Sequence, residues 1–310
     1  GHARAAWELT APRRPGGDYA RGFAGLEQRW RLREARRPHP GIPAWQGEPL
    51  AGKRVLLFNE QPFGDGILFA RFAQYLRPLG ATQVALEAER PLARLCWTLP
   101  GVDRVVIRGE ALPPADYACS LLSLPGLLGL GPEGVASPPY LKAPAVGRSP
   151  LARPPGTRLA VGFCWAGRAT HQNDRNRSTG LKPFLPLLAR PDVLFVSLQK
   201  GPAAAELAQQ GVEGLLRDLT HEIEDFADLA HWMGQLDLVI SVDTAVAHLA
   251  GALGRPCWTL LPFAADWRWG RVAQDTPWYG RMHLFRQAKP GDWTQPFALV
   301  GEALDQVLAG

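Results

Sequence analysis

The sequence predicts an α/β protein with parallel sheets covered on both faces, organised as two domains, and three observations carry that prediction. Short apolar runs recur at 53–59, 84–88, 104–108, 117–122, 158–165, 193–199, 238–242 and 257–261, each short and evenly apolar, as a strand buried on both faces must be. Amphipathic or small-residue stretches alternate with them, and a parallel sheet needs such crossover helices to return the chain to its starting edge. Finally, 310 residues is long for one core. Between 132 and 156 the composition turns to Pro, Gly, Ser and Ala with almost no helical or strand period, which places a domain linker there.

In chain order, the segment from Asp18 puts Tyr19, Phe23, Leu26 and Trp30 at helical spacing, with arginines on the other faces. This helix either packs on the body of the protein or closes an upstream helical array. PHPGIPAW is a rigid linker. A strand at 53–59 then runs through the turn EQPFGDG into ILFARFAQYLRPLG, the strand, loop and helix of a Rossmann-like unit, and PLARLCWTL supplies the next helix. The second alternating set begins with the strand 158–165 and the polar loop GRATHQNDRNRST. A helix over LKPFLPLLA follows, then the strand VLFVSLQ, the helix AAAELAQQG, the short strand GLLRDL and the helix DFADLAHWMGQL. After CWTLL comes the aromatic loop PFAADWRWG, and DWTQPFALVGEALDQVLA is an amphipathic terminal helix. The expected boundaries are 1–45 for the N-terminal helical segment and linker, 46–150 for the first Rossmann-like domain and 151–310 for the second.

Composition narrows the function classes. Hydrophobic residues make up 46% and charged residues 20%, and the longest apolar stretch is broken by Pro125 and glycines, so the sequence predicts a soluble protein without a transmembrane segment. No basic region followed by an apolar run opens the chain, which makes the cytoplasm the expected location. Cys96, Cys119, Cys164 and Cys257 are far apart without a C-x-x-C pair, so neither a zinc site nor a disulfide framework is expected. The net charge of +5 comes from scattered arginines rather than one basic block, which suits an acidic small ligand as well as a nucleic acid, and no nucleic-acid partner is expected.

The site is expected around LVISVDTAVAHLAGALGRP. Leu238, Val239, Ile240 and Val242 form the strand, Asp243 and Thr244 follow where it stops, and alanines and Gly251 keep the next helix slim. Its first-turn N–H groups and dipole make an anion seat, and His248, four residues after Thr244, shares that face. Asp or Thr at this point is equally an ordinary helix cap. Trp267, Arg268 and Trp269 could grip a planar or sugar-like surface or form an apolar lid. Asp65 falls beyond the carboxyl end of the first strand, where such sheets bind ligands, with helix capping as its plainer role.

Together EQPFGDGILFARF, GFCWAGRATHQNDRNRS, SLQKG, DFADLA, LDLVISVDTAVAHLAGALGRP and DWRWG resemble the heptosyltransferase-like glycosyltransferases of family 9, over roughly residue 19 to the C-terminus. The resemblance is greatest to the branch found behind tetratricopeptide repeats in bacterial protein (flagellin-type) glycosyltransferases. It implies the GT-B fold, two Rossmann-like domains facing across a cleft, an N-terminal acceptor domain, a C-terminal donor domain, and a terminal helix crossing back to the first. It implies Asp65 as general base and the donor motif on Asp243, Thr244, Ala245 and His248, with Ala245 standing where the family has Gly and narrowing the approach to the phosphate. Arg177 falls near a phosphate-contacting Lys of the family, a fork replacing a point charge. Lys200 is a further cation for the phosphate, and Ser197 and Gln199 are candidates for holding the base or ribose. Gln61, Trp267 and Trp269 are the acceptor-side candidates. Pro62 and Gly66 depart from the Gly and Thr expected in the repeat-associated branch.

The implied activity is transfer of a sugar from a nucleotide sugar to an acceptor hydroxyl, the nucleotide sugar being substrate rather than cofactor. No cofactor and no metal are expected: no Asp-x-Asp signature occurs, and Glu222, Glu224, Asp225 and Asp228 lie at a helix start where caps are the commoner use. One base and no protein nucleophile imply inversion. The expected acceptor is a protein Ser or Thr, with a saccharide, as in lipopolysaccharide heptosyl transfer, as the alternative. An upstream tetratricopeptide module is the other implied partner. Rival readings are a non-catalytic nucleotide-sugar binding module, an epimerase of related fold, and a nucleic-acid binder, the last of which predicts steep salt dependence.

Overall fold

The computed structural model describes residues 19–31, 37–135, 138–145, 147–270 and 272–310. Contacts divide the chain into one unit of residues 1–142 with 270–272 and another of 143–269 with 273–310, so the boundary at 142/143 lies inside the proline- and glycine-rich stretch.

In the first unit, β1 (Arg54–Phe58), β2 (Gln83–Ala88), β3 (Arg104–Ile107) and β4 (Tyr117–Ser120) form a wholly parallel sheet in the order β3-β2-β1-β4. The chain steps outward from β1 to β3 and returns to the other side of β1 for β4. Crossovers leave in opposite directions at that point, which opens a crevice beyond the carboxyl ends of β1 and β4. The linker Pro43–Trp45 joins the edge through Trp45 N–H to Ala118 O and Ala118 N–H to Pro43 O, covering a strand edge that would otherwise be open.

The N-terminal helix Tyr19–Leu26 continues into the 3-10 turn Glu27–Arg31, and its Phe23 and Leu26 are buried. Packing on the body of the protein is therefore its role here. Arg29 fastens it, donating to Glu60 (2.9 Å), Ser120 (3.1 Å) and Ser123 (2.8 Å), residues at or just beyond the ends of β1 and β4. Residues 1–18 and 32–36 of the expected N-terminal segment lie outside the described residues.

The second unit contains β5 (Leu159–Cys164), β6 (Val193–Ser197), β7 (Arg217–Asp218), β8 (Leu238–Val242), β9 (Cys257–Leu261) and β10 (Met282–Arg286), parallel throughout in the order β10-β9-β8-β5-β6-β7. Its switch point lies between β5 and β8, so the crevice opens beside Trp165 and Asp243. The stretch expected as a helix over 181–189 is a 3-10 helix, Lys182–Ala189, because Pro186 removes an N–H that an α-helical ladder would need.

The terminal helix packs on the second unit. Its Phe297, Val300 and Leu304 join the second unit's own core with Phe163, Phe184 and Leu187, and the Phe297 and Phe184 rings meet edge to face at 4.8 Å. Arg190 pairs with Asp305 at 2.7 Å. These residues of its apolar stripe lie in the second unit's core.

All four cysteines are free and buried. Burial raises the Cys96 and Cys257 thiols to about 12, so they stay protonated at neutral pH. Among the described residues no helix is long and apolar enough to cross a membrane.

Candidate functional site

At the switch point of the second sheet, β8 ends at Val242, Asp243 turns the corner, and Thr244 caps the helix Ala245–Ala252. The Thr244 hydroxyl accepts from Val246 N–H at 3.2 Å and lies 3.2 Å from Ser241 Oγ, which donates to Val242 O at 2.7 Å. The hydroxyl thus caps the helix and lies among Ser241 Oγ and, at 3.7 Å, Cys164 Sγ inside the protein. What remains for an anion is backbone: the first-turn N–H groups of Ala245 and Ala247 have no acceptor within the helix.

Arg177 reaches the same corner. Its Nη1 donates to Asp243 O at 2.8 Å and its Nε to Asp174 Oδ1 at 3.2 Å, which ties the polar loop to the end of β8. The absence of a side chain at Gly167 makes this possible, since a Cβ there would lie 2.5 Å from both Arg177 Nη2 and Asp174 Oδ1. A guanidinium is thus held at the corner before the helix Ala245–Ala252, by Asp243 O on one nitrogen and Asp174 Oδ1 on another.

The Asp243 carboxyl is pushed up to about 6, first by burial and then by the neighbouring Asp266, against the opposing pull of Arg177. The sign of the consequence follows from linkage. A carboxyl raised in the folded state contributes stability that is complete below its ordinary value of 3.8 and lost as pH rises through about 6. Asp243→Asn is therefore expected to stabilise the protein by up to about 3 kcal/mol at pH 7.5, with no difference from wild type near pH 3.5. Urea unfolding at the two pH values checks this, and equal stability at pH 7.5 contradicts it.

The remaining donor-side candidates separate by burial. Gln199 is 2% exposed and fully used: its Oε1 accepts from Trp165 N–H (3.0 Å) and Ala166 N–H (2.9 Å), while Nε2 donates to Ala166 O (3.0 Å) and Lys200 O (2.9 Å). Ser197 is wholly buried, with its Oγ accepting weakly from Gln199 N–H at 3.4 Å. Gln199 thus holds the loop after β5 against the end of β6. Lys200 stays exposed, its Nζ donating to Thr220 O at 2.6 Å. Ala245, half-buried, opens the helix.

His248 is buried, hydrogen-bonded through Nδ1 to the Tyr279 hydroxyl at 2.9 Å and stacked on Trp269 with ring centroids 5.0 Å apart and planes at 24°. Trp269 is 1% exposed and belongs to the second unit. Trp267 is half-buried, edge-on to Trp278 and beneath the Arg268 guanidinium, whose charge pairs with Asp266 at 2.6 Å. Trp269 thus packs on His248, and Trp267 on Trp278 and Arg268. Tyr279 was not singled out in the sequence, because its partner lies 31 positions away.

In the first unit, Asp65 lies in the first turn of the helix Phe63–Ala70, half-buried, just past the end of β1. The N-cap position itself is taken by Pro62, and Asp65 lies inside the first turn. Gln61 is held by its backbone, donating to Asn59 Oδ1 at 3.2 Å and accepting from Asn59 Nδ2 at 2.6 Å. Asp65 and Gln61 share this crevice; the donor-side residues share the other. Asp225 is an N-cap, accepting from Ala227 and Asp228 N–H, and Asp228 is buried against Arg148 at 3.1 Å. Among the described residues no three His, Cys, Asp or Glu side chains gather as a metal set.

Several solved structures share this arrangement. The crystal structure of the glycosyl transferase family 9 protein from Veillonella parvula aligns with a TM-score of 0.58 at 13% identity, over 84% of this chain and 97% of that one. E. coli ADP-heptose lipopolysaccharide heptosyltransferase II aligns at 0.52 and 14%, over 83% and 98%. The fold is GT-B. Within this GT-B chain, residues 193–278 match the glycosyltransferase family 9 (heptosyltransferase) model, a span from β6 to the residue before Tyr279 that includes Asp243, Thr244 and His248. Protein FlbA of Caulobacter vibrioides is 27% identical over 324 residues, 93% of this chain and 52% of FlbA, so the chain spans about half the length of that relative. The chain resembles the heptosyltransferase-like glycosyltransferases, as its motifs imply.

Proposed function

We propose that this chain is a nucleotide-sugar-dependent glycosyltransferase that inverts the anomeric centre and needs no metal, with a serine or threonine hydroxyl of a protein as acceptor. The observation that carries the reading is the corner after β8, where an open helix N-terminus and a fastened guanidinium adjoin one another at a sheet's switch point. Such a corner suits a diphosphate leaving group.

In the reaction, the acceptor oxygen attacks the anomeric carbon as the bond from that carbon to the phosphate oxygen breaks, and the electron pair leaves with the nucleotide diphosphate. Asp65 takes the acceptor proton. The growing phosphate charge is met by the N–H groups of Ala245 and Ala247, the helix dipole, Arg177 and His248, with Lys200 as an exposed cation just past the end of β6. A single displacement inverts configuration. The protein acceptor rests on the resemblance to the repeat-associated branch, as does an upstream tetratricopeptide module.

The test is a thermal-shift panel of ADP-, UDP-, GDP- and CMP-linked sugars, followed by labelled transfer from whichever donor stabilises the protein. Label on protein hydroxyls supports the reading. Label on saccharide moves the acceptor to the heptosyltransferase alternative, and a donor that binds without any transfer points to a binding module.

A further inference from the structure

We infer that Tyr279 is a positioning residue that fixes the tautomer and direction of His248 toward the diphosphate of the donor. The inference rests on the donor-site reading above and adds to it a residue outside the matched motifs. His248 is held on two sides. The Tyr279 hydroxyl engages Nδ1 at 2.9 Å, and the Trp269 indole lies against the ring face at 5.0 Å. Tyr279 is itself buried, its ring 62° to the imidazole at 5.8 Å and 6.5 Å from the Trp269 ring, so the three rings fix one another.

A second observation points the same way. Gly251 lies one turn after His248 on the same helix face, and a Cβ there would come within 2.3 Å of Tyr279 Cγ and 2.4 Å of Cδ1. The Tyr279 ring is seated directly on the glycine, and any side chain at 251 would displace it. The small-residue character of this helix therefore serves a phenol that reaches the histidine, as well as the approach to a ligand.

The chemical consequence concerns the ring proton. A neutral imidazole carries one N–H, and the nitrogen that holds it is set by what the other nitrogen bonds. A phenol donating to Nδ1 keeps the proton on Nε2, where it can be given to a phosphate oxygen as a hydrogen bond. With its orientation fixed in advance, the ring loses little freedom when the ligand arrives.

The experiment is ¹⁵N NMR of the His248 imidazole in wild type, Tyr279→Phe and Gly251→Ala, with titration of inorganic pyrophosphate, the diphosphate common to all candidate donors. Tyr279→Phe keeps the ring and removes only the hydroxyl. The expected result is an Nε2–H tautomer in wild type, a mixture of tautomers in Tyr279→Phe, and pyrophosphate affinity weakened about 3- to 10-fold. Gly251→Ala, if folded, moves both readouts the same way. A purely structural tyrosine would lower Tm and leave the nitrogen shifts and affinity unchanged, which overturns the inference. His248→Ala is measured alongside. If it leaves pyrophosphate affinity unchanged, the donor-site reading and this inference both fall; if it abolishes affinity while Tyr279→Phe changes nothing, only the inference falls.

Discussion

Asp65→Asn is expected to keep the fold and donor binding while sugar transfer drops by about 10²- to 10⁴-fold, the usual contribution of a positioned general base. The structure sharpens the reason. Pro62 is the N-cap, so Asp65 sits inside the first turn, half-buried just past the end of β1, rather than at the cap position. A carboxylate in a first turn is favoured by the helix dipole, by about 0.3–1 kcal/mol, so the amide should cost little stability. The measurement pairs transfer rate with Tm and donor affinity. Transfer within a few-fold of wild type would remove Asp65 as base, and a parallel loss of donor affinity would reassign it to binding.

The prediction also marks what could be read from the sequence. The strands were legible because each is a short run buried on both faces, as Val55, Leu56, Leu57 and Phe58 are. The corner at Asp243 and Thr244 was legible because a cap residue follows an apolar run. Direction and partner were not. Periodicity shows that Phe297, Val300 and Leu304 form a stripe, but the stripe is the same whether the second domain or the first covers it. Gln199 announces itself as a polar residue at a strand end, yet its inward hydrogen bonds depend on the loop after β5, which is distant in sequence. For Tyr279 the available signal was Gly251, a helix glycine with a packing reason that only the tertiary contact reveals.

Separating Thr244 from His248 gives the other large effect. The sequence alone suggests that both hold phosphate, so that Thr244→Val with His248→Ala would weaken nucleotide diphosphate binding by about 10- to 1,000-fold. The structure divides that loss. Thr244 is buried, accepts from Val246 N–H at 3.2 Å and lies 3.2 Å from Ser241 Oγ, so valine leaves one helix N–H and one serine lone pair unmet without disturbing a ligand. Thr244→Val should therefore cost about 0.5–2 kcal/mol of stability and change affinity by less than about 3-fold. His248→Ala should weaken nucleotide diphosphate binding by about 10- to 100-fold, the worth of one charge-assisted hydrogen bond. It also leaves the Tyr279 hydroxyl without its imidazole, so some stability is lost and Tm must be followed in both variants. Titration calorimetry on the folded proteins decides between the two assignments. If Thr244→Val weakens binding as much as His248→Ala while Tm is unchanged, the hydroxyl turns from Ser241 to the phosphate when the ligand binds, and the corner is a side-chain anion site rather than a backbone one.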